Sequence, residues 1–125
     1  AGAPSPAPRG GAPAWLAAGG GAALPLLPGG GPAAEGMPLL ARGSDVAKFS
    51  PAAPMGGPAT LAALGGPLPQ MAWCPTGGIT PESAPDYLGL DTVLCVGGSW
   101  IAPRALRDAR DWPAIEASAR AAAAL

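Results

Sequence analysis

The chain has 125 residues and a formal net charge of −1, with seven Lys or Arg, eight Asp or Glu and no His. This length suits one domain with a modest core. The charge balance and the lack of a dense cationic cluster argue against a nucleic-acid partner or a polybasic membrane surface. Arg104, Arg107 and Arg110 recur at helical spacing and are interpreted as a solvated helix face. The expected partner is therefore a small molecule.

The lack of histidine removes the Ser-His-Asp and Cys-His arrangements of nucleophilic catalysis. Cys74 and Cys95 show no metal-type spacing, so we predict no metal or other cofactor and expect both thiols to be reduced core residues. No apolar run reaches the roughly 18 residues that span a bilayer, and the first residues lack the pattern of a signal peptide. These features predict a cytoplasmic protein with no membrane partner. Any catalysis must use lysine or carboxylate.

Glycine and proline are abundant, with 20 Gly and 18 Pro, and they are densest near the start of the chain. Residues 1–21 are predicted to be a poorly specified Gly/Pro/Ala-rich segment. The sequence shows no strict Gly-X-Y period, which excludes collagen. Residues 22–125 are predicted to be the folded unit.

The folded unit contains four short apolar runs, each ending at a proline or glycine signal, as is typical of buried strands. The runs are 24–27, 46–49, 71–74 and 92–96. Their evenly spaced ends match the length of one strand, loop and helix. The predicted helices are 33–41, 58–64, 81–88 with Thr80 as N-cap and Pro81 first, and one from Trp112 or Pro113 to Ala124 capped by Asp111. The pattern predicts repeated βα units.

Repeated βα units with short apolar strands imply a parallel α/β sheet, either a barrel or an open doubly wound sheet. In both folds ligands bind beyond the carboxyl ends of the strands. This chain places its polar and glycine-rich turns at those ends, so we expect them to share one face of the sheet.

Lys48 is the only lysine, and it lies in the predicted apolar strand 46–49. An isolated ammonium in apolar surroundings either finds a partner or is more readily deprotonated. A neutral amine is the nucleophile that Schiff-base chemistry on a carbonyl substrate requires. The alternative is a lysine whose stem lies along the strand and whose ammonium reaches water.

Two double glycines follow predicted strands, Gly77-Gly78 after Thr76 and Gly97-Gly98 before Ser99. Consecutive glycines let backbone N–H groups approach an anion without a Cβ in the way, and a following helix N-terminus adds a favourable dipole. We interpret the pair as a phosphate cradle, as found after the last strands of many barrels. Tight βα turns or a carboxylate site are the alternatives.

Three segments carry a resemblance to a known family. They are Lys48-Phe49-Ser50-Pro51-Ala52, Cys74-Pro75-Thr76-Gly77-Gly78-Ile79 and Val93-Leu94-Cys95-Val96-Gly97-Gly98-Ser99-Trp100. In this order and spacing they closely resemble the C-terminal half of 2-keto-3-deoxy-6-phosphogluconate (KDPG) aldolase, also known as 4-hydroxy-2-oxoglutarate (KHG) aldolase.

The resemblance implies the last four or five strand-helix units of a (β/α)₈ TIM barrel. It also implies a metal-free class I lyase, usually a homotrimer, that cleaves the phosphorylated keto acid to pyruvate and glyceraldehyde 3-phosphate. By the same matching, Lys48 would form the imine and Thr76 would orient the bound keto acid. The phosphate ligands would be Gly77, Gly78, Gly98 and Ser99.

The chain departs from the family where the early strands would be. The strand that carries the general-base glutamate and the carboxylate-binding arginine has no counterpart, Ser50 replaces an aromatic residue, and Ala53 replaces a glutamate. A half-barrel leaves a sheet edge open, so we expect either a marginally stable monomer or self-association that covers the edge. The alternatives to an aldolase are a non-catalytic anion-binding half-barrel and an inert fragment.

Overall fold

The computed structural model describes residues 27–30 and 33–125. The predicted segment 1–21 and most of the predicted strand 24–27 lie outside these residues. The elements, in chain order, are β1 (Gly29–Gly30), α1 (Ala33–Leu40), β2 (Val46–Phe49), α2 (Gly57–Gly65), β3 (Ala72–Pro75), α3 (Ala84–Leu88), a 3₁₀ turn (Ser99–Ile101), α4 (Arg104–Asp108) and α5 (Trp112–Ala122).

The three strands form one parallel sheet in the order β1-β2-β3. A helix follows each strand, which confirms the predicted α/β repeat. Lys48 pairs with Gly29 on one side and Cys74 on the other, so residues at these positions share a face of the sheet. The carboxyl ends of β2 and β3 therefore lie side by side.

The fourth predicted strand, 92–96, forms no continuous ladder. It touches β3 through two isolated parallel bridges, Trp73 with Val93 and Thr76 with Gly97. Two residues separate the bridges on the β3 side and three separate them on the other side, so the second segment carries one extra residue. An extra residue leaves part of a ladder unpaired and bends the chain, as in a β-bulge. The bulge explains why this apolar run is not a regular strand.

The two faces of the sheet differ in burial. Ala47 and Phe49 of β2, with Trp73 and Pro75 of β3, are buried, whereas the alternate residues of both strands are only partly buried. The buried face carries the core, to which the helices add a set of apolar side chains: Leu39, Leu61, Leu64, Ala84 and Tyr87. Lys48 lies on the other, more open face.

Trp73 is the largest side chain of the core and is completely buried. Its ring meets Phe49 edge to face, with 5.9 Å between ring centroids and an interplanar angle of 77°. This geometry is favoured by the opposite partial charges of an aromatic face and edge. Among the residues that the structure describes, none provides a hydrogen-bond acceptor for the indole Nε1 of Trp73. The Phe49 and Trp73 pair thus forms the aromatic part of the core, and the Trp73 Nε1–H is an unsatisfied donor within it.

The helix predicted at 81–88 begins three residues later than expected, at Ala84. Pro85 explains the delay, because it has no N–H to donate to Pro81 and its ring would meet that carbonyl in a helix starting there. Thr80 and Ser83 instead bond to each other, with the Thr80 N–H 3.0 Å from Ser83 Oγ. Thr80 Oγ1 also accepts from the Ser83 N–H at 3.3 Å, so Thr80 caps the turn that leads into α3, while the residue directly before the helix is Ser83.

The C-terminal part agrees more closely with the sequence. Helix α5 begins at Trp112, and Asp111 caps it by accepting a hydrogen bond from the Ala114 N–H at 3.1 Å. No residue after Val93 is classed as buried. The ion pair of Arg104 with Asp108 is exposed, so its stabilising contribution is small, at about 0.3–0.5 kcal/mol. None of the described helices is long and apolar enough to cross a membrane.

Candidate functional site

Lys48 is the third residue of β2 and lies in the middle of the three-stranded sheet. Its N–H donates to the Pro28 carbonyl at 2.8 Å, which continues the ladder toward β1. Its side chain is neither buried nor fully exposed, and it lies on the more open face beside Cys74. Within the described ranges, no carboxylate lies within 4.0 Å of the Lys48 ammonium. The amine is held in a fixed strand with access to the open face.

Cys74 lies next to Lys48 in the sheet, and its Sγ atom is 3.3 Å from that of Cys95. Both are free thiols, Cys74 partly buried and Cys95 exposed. The expectation that both are core residues was therefore wrong. Burial and the Cys95 thiol raise the pKa of the Cys74 thiol to about 11, against an opposing effect of the Lys48 charge. Lys48 therefore interacts electrostatically with Cys74, although burial dominates.

The raised pKa of Cys74 predicts that the folded state loses stability in alkali. The pKa is higher than its ordinary value of 9.0, so the contribution is fully present below pH 9 and is lost as the pH rises through about 11. We expect the urea midpoint of wild type to fall between pH 9 and about 11, and the midpoint of Cys74→Ser to fall less over the same range. Tyr87→Phe is the control, because burial also raises the pKa of Tyr87. An equal fall in wild type and Cys74→Ser would contradict the prediction.

The loop after β2 is tied to the loop after β3 by backbone hydrogen bonds. The Thr76 N–H donates to the Phe49 carbonyl at 2.9 Å. In return, the N–H groups of Ala52 and Ala53 donate to the carbonyls of Thr76 and Gly77 at 2.8 and 3.0 Å. These bonds fix Thr76 and Gly77 at the carboxyl end of the sheet. Lys48 lies one residue before the same end of β2.

The second glycine pair lies beside the first. Gly97 pairs with Thr76, and a Cβ at Gly97 would lie only 2.6 Å from Thr76 Cγ2. The structure therefore places Thr76 and Gly77 beside Gly97, the neighbour of Gly98, at the carboxyl end of the sheet, and Gly78 and Ser99 line a common groove. The remaining predicted site residue, Lys48, lies on β2 and is not among the residues that line this groove. Across residues 27–30 and 33–125, the N–H groups of Gly78, Gly98 and Ser99 donate to no backbone carbonyl. These three donors are available to an anion.

The helix dipole expected behind the glycine turns is weaker than predicted. Helix α3 begins at Ala84, several residues after Gly78, and the helical element that directly follows Gly98 is a three-residue 3₁₀ turn. The Trp100 ring occupies the space where a Cβ of Gly98 would lie. Any anion at this site therefore depends mainly on individual backbone N–H groups.

Gly77 meets two constraints that a side chain would violate. Its φ is +97°, and a Cβ would lie 3.1 Å from the Pro51 Cα. Gly77→Ala is expected to cost more than the roughly 1–2 kcal/mol of the left-handed backbone alone. Gly43→Ala is the matched control, because Gly43 has φ +77° and its Cβ position has no described atom within 4 Å beyond Gly43 and its chain neighbours. Equal losses in urea unfolding would show that the Pro51 contact is unimportant.

An open groove of about 680 Å³ extends from the glycine turns toward α4. Its lining includes Gly78 and Ser99 from the glycine turns and Arg104 and Arg107 from α4. Arginines that face a groove beside free N–H donors can hold an anion. The sequence analysis predicted that these arginines lie on a solvated helix face, and both are exposed. It did not predict that they line a groove. Their position just after the second glycine pair was the available signal.

The groove also carries one carboxylate, Glu82. A hydrogen bond from the Thr80 side chain lowers the pKa of Glu82, so this group stays ionised. Among the residues described, no cluster of three or more His, Cys, Asp or Glu side chains could hold a metal ion.

Known proteins resemble this chain both in sequence and in fold. Residues 10–118 match the aldolase family described as KDPG and KHG aldolase. The chain is 43% identical over 99 residues to the 2-dehydro-3-deoxy-phosphogluconate aldolase of Pseudomonas aeruginosa, covering 79% of this chain and 45% of that protein. The KHG/KDPG aldolase of Escherichia coli K12 matches with the same identity and 46% coverage of its length. The chain spans about half the length of these relatives.

Solved structures agree with this partial match. The KDPG aldolase of Legionella pneumophila, with pyruvate captured as a covalent carbinolamine intermediate, has a TM-score of 0.87 and 39% identity. The match covers 91% of this chain and 55% of that one. The Zymomonas mobilis ZM4 enzyme with 3-phosphoglycerate has a TM-score of 0.69 and 43% identity, covering 78% and 46% of the two chains. These structures confirm the predicted partial barrel.

Proposed function

Because the chain belongs to the KDPG and KHG aldolase family, we propose that it carries the Schiff-base half of an aldolase site. The proposed substrate is 2-keto-3-deoxy-6-phosphogluconate, cleaved to pyruvate and glyceraldehyde 3-phosphate. The observation that carries the proposal is the position of Lys48. The only lysine of the chain lies on the more open face of the sheet, near the carboxyl end of β2, within residues 10–118 that match the family.

In the proposed reaction, neutral Lys48 Nζ attacks the keto carbon of the substrate, and loss of water from the carbinolamine gives a protonated imine. The imine accepts the electron pair of the C3–C4 bond as the substrate hydroxyl loses its proton and the aldehyde leaves. The resulting enamine gains a proton at C3, and water then releases pyruvate and regenerates the amine. Thr76, at the adjacent strand end, is proposed to orient the keto acid.

We propose that the substrate phosphate binds at the glycine turns. The free N–H groups of Gly78, Gly98 and Ser99 supply hydrogen-bond donors, and Gly77 lets the chain turn without a side chain. Arg107, which also lines the groove, adds positive charge, whereas the charge of Arg104 is shared with Asp108. No described carboxylate forms an ion pair with Lys48. The proton acceptor is therefore proposed to lie outside the described residues, in the half of the family's barrel that has no match in this chain.

The proposal is tested by incubating the purified chain with pyruvate and borohydride, followed by intact mass and a peptide map. Borohydride reduces an imine to a stable secondary amine, so a single adduct on the peptide that contains Lys48 is expected. Folding is checked on the same sample by far-UV circular dichroism. A folded protein without an adduct would overturn the aldolase proposal.

A second candidate function, non-catalytic anion binding, is favoured by one observation. In the described part of the chain, three N–H groups of the glycine turns donate to no backbone carbonyl, and no carboxylate forms an ion pair with the Lys48 amine. Inorganic phosphate that raises the melting temperature without any pyruvate adduct would support this function. The cytoplasmic location and the homotrimer of the family stay predictions, and size-exclusion chromatography tests the assembly.

A further inference from the structure

The bulge between the two isolated bridges determines which side chain lies opposite Cys74. With the register of the Trp73 and Val93 bridge, Leu94 would lie opposite Cys74. The extra residue shifts the register by one before the Thr76 and Gly97 bridge, and Cys95 takes that place. Bulges commonly redirect a side chain in this way. The pairing of the two thiols is therefore built into the backbone.

The side chains agree with this backbone arrangement. Cys74 Sγ and Cys95 Sγ are 3.3 Å apart, and both thiols are free. A disulfide needs about 2.05 Å between sulfur atoms, so the two atoms must approach by a little over 1 Å, within the reach of small side-chain rotations. Leu94 is 61% exposed and Cys95 beside it is also exposed, so a small reagent can reach this thiol.

We propose that Cys74 and Cys95 form a dithiol modification site that reacts with low-molecular-weight disulfides and closes into an intramolecular disulfide. In the first step the exposed Cys95 thiolate attacks the reagent, one reagent thiolate leaves, and a mixed disulfide remains on Cys95. Cys74 then loses its proton to water and attacks the Cys95 sulfur, releasing the second reagent thiol. Two protein thiols are oxidised and one reagent disulfide is reduced to two thiols.

The chemistry assigns different roles to the two cysteines. Reaction begins at the exposed thiol, because access favours attack on the reagent. Cys74, whose pKa is raised to about 11, is seldom ionised at neutral pH and reacts well only where the partner sulfur is already adjacent. The closed disulfide would join β3, which leads into the first glycine turn, to the segment that leads into the second.

The test is incubation of the reduced full chain with oxidised glutathione, followed by intact mass and a non-reducing peptide map. Wild type is expected to lose two hydrogen atoms, keep no glutathione and yield one peptide pair joining Cys74 to Cys95, all reversed by dithiothreitol. Cys74→Ser is expected to keep one glutathione on Cys95. Cys95→Ser is expected to stay largely unmodified over the same time.

Three results would overturn the proposal. In the first, the wild-type chain retains glutathione. In the second, it stays fully reduced, and in the third, it forms disulfide-linked dimers in place of the internal disulfide. Each is read on the wild-type chain, so a poorly folded variant does not affect the conclusion. The assay contains no pyruvate, so its result is independent of the proposed aldolase activity.

Discussion

Lys48→Met is expected to abolish the borohydride-trapped pyruvate adduct completely. Methionine has a similar length and fits the half-buried strand position, but it carries no amine. Since Lys48 is the only lysine, the α-amino terminus is the one other primary amine in the chain. Intact mass of wild type and variant, treated side by side, measures the difference.

Lys48→Arg is the matched variant that keeps the positive charge. A guanidinium stays protonated and forms no imine, so this variant is also expected to give no adduct. If either variant retained a wild-type level of adduct, the trapped amine would be the α-amino terminus, and the role of Lys48 would be wrong. Circular dichroism and melting curves should show that both variants fold.

Trp73→Ala is expected to cost about 3–5 kcal/mol of unfolding free energy, the range for removing a large aromatic side chain from a core. Typical domains have only about 5–15 kcal/mol in total, so this variant should be largely unfolded or melt at a much lower temperature. The cause is the loss of a fully buried ring and of its edge-to-face contact with Phe49. Urea unfolding followed by far-UV circular dichroism measures the change.

Trp112→Ala is the control, since it makes the same substitution at a residue that is 60% exposed. Surface substitutions of this kind usually change stability by less than about 0.5 kcal/mol. Trp73→Phe should lie between the two, because it removes the unsatisfied Nε1 donor but keeps an aromatic ring beside Phe49. Equal urea midpoints for Trp73→Ala and Trp112→Ala would show that the core does not depend on Trp73.

The elements set by local sequence were predicted well. Strand β2 was predicted at its observed bounds because an apolar run ends at a proline, and α5 was predicted with its Asp111 cap. Helix α3 was misplaced because Thr80 and Pro81 form a plausible start. The constraint from Pro85 acts four residues further on, so it opposes a helix that the first turn favours.

Features that depend on the exact register between distant residues could not be predicted, whereas the shared edge of the strand ends could. Lys48 and Thr76 were expected to meet because the carboxyl ends of parallel strands share an edge, a rule that needs no exact register. The Cys74 and Cys95 pair was missed because it depends on a one-residue bulge. Arg104 and Arg107 were missed because helical spacing reports exposure but not the groove that a helix faces.

The uneven distribution of buried residues has a consequence for the dynamics of the protein. Helices α4 and α5 contain no buried residue, whereas β2 and β3 carry the core. Segments with few buried apolar contacts open at a lower free energy than the whole domain. Amide hydrogens of α5 should therefore exchange with deuterated solvent through local fraying, while those of β2 exchange only when the core itself opens. Helix α4, which contributes Arg104 and Arg107 to the groove, would then be the most mobile part of the groove lining.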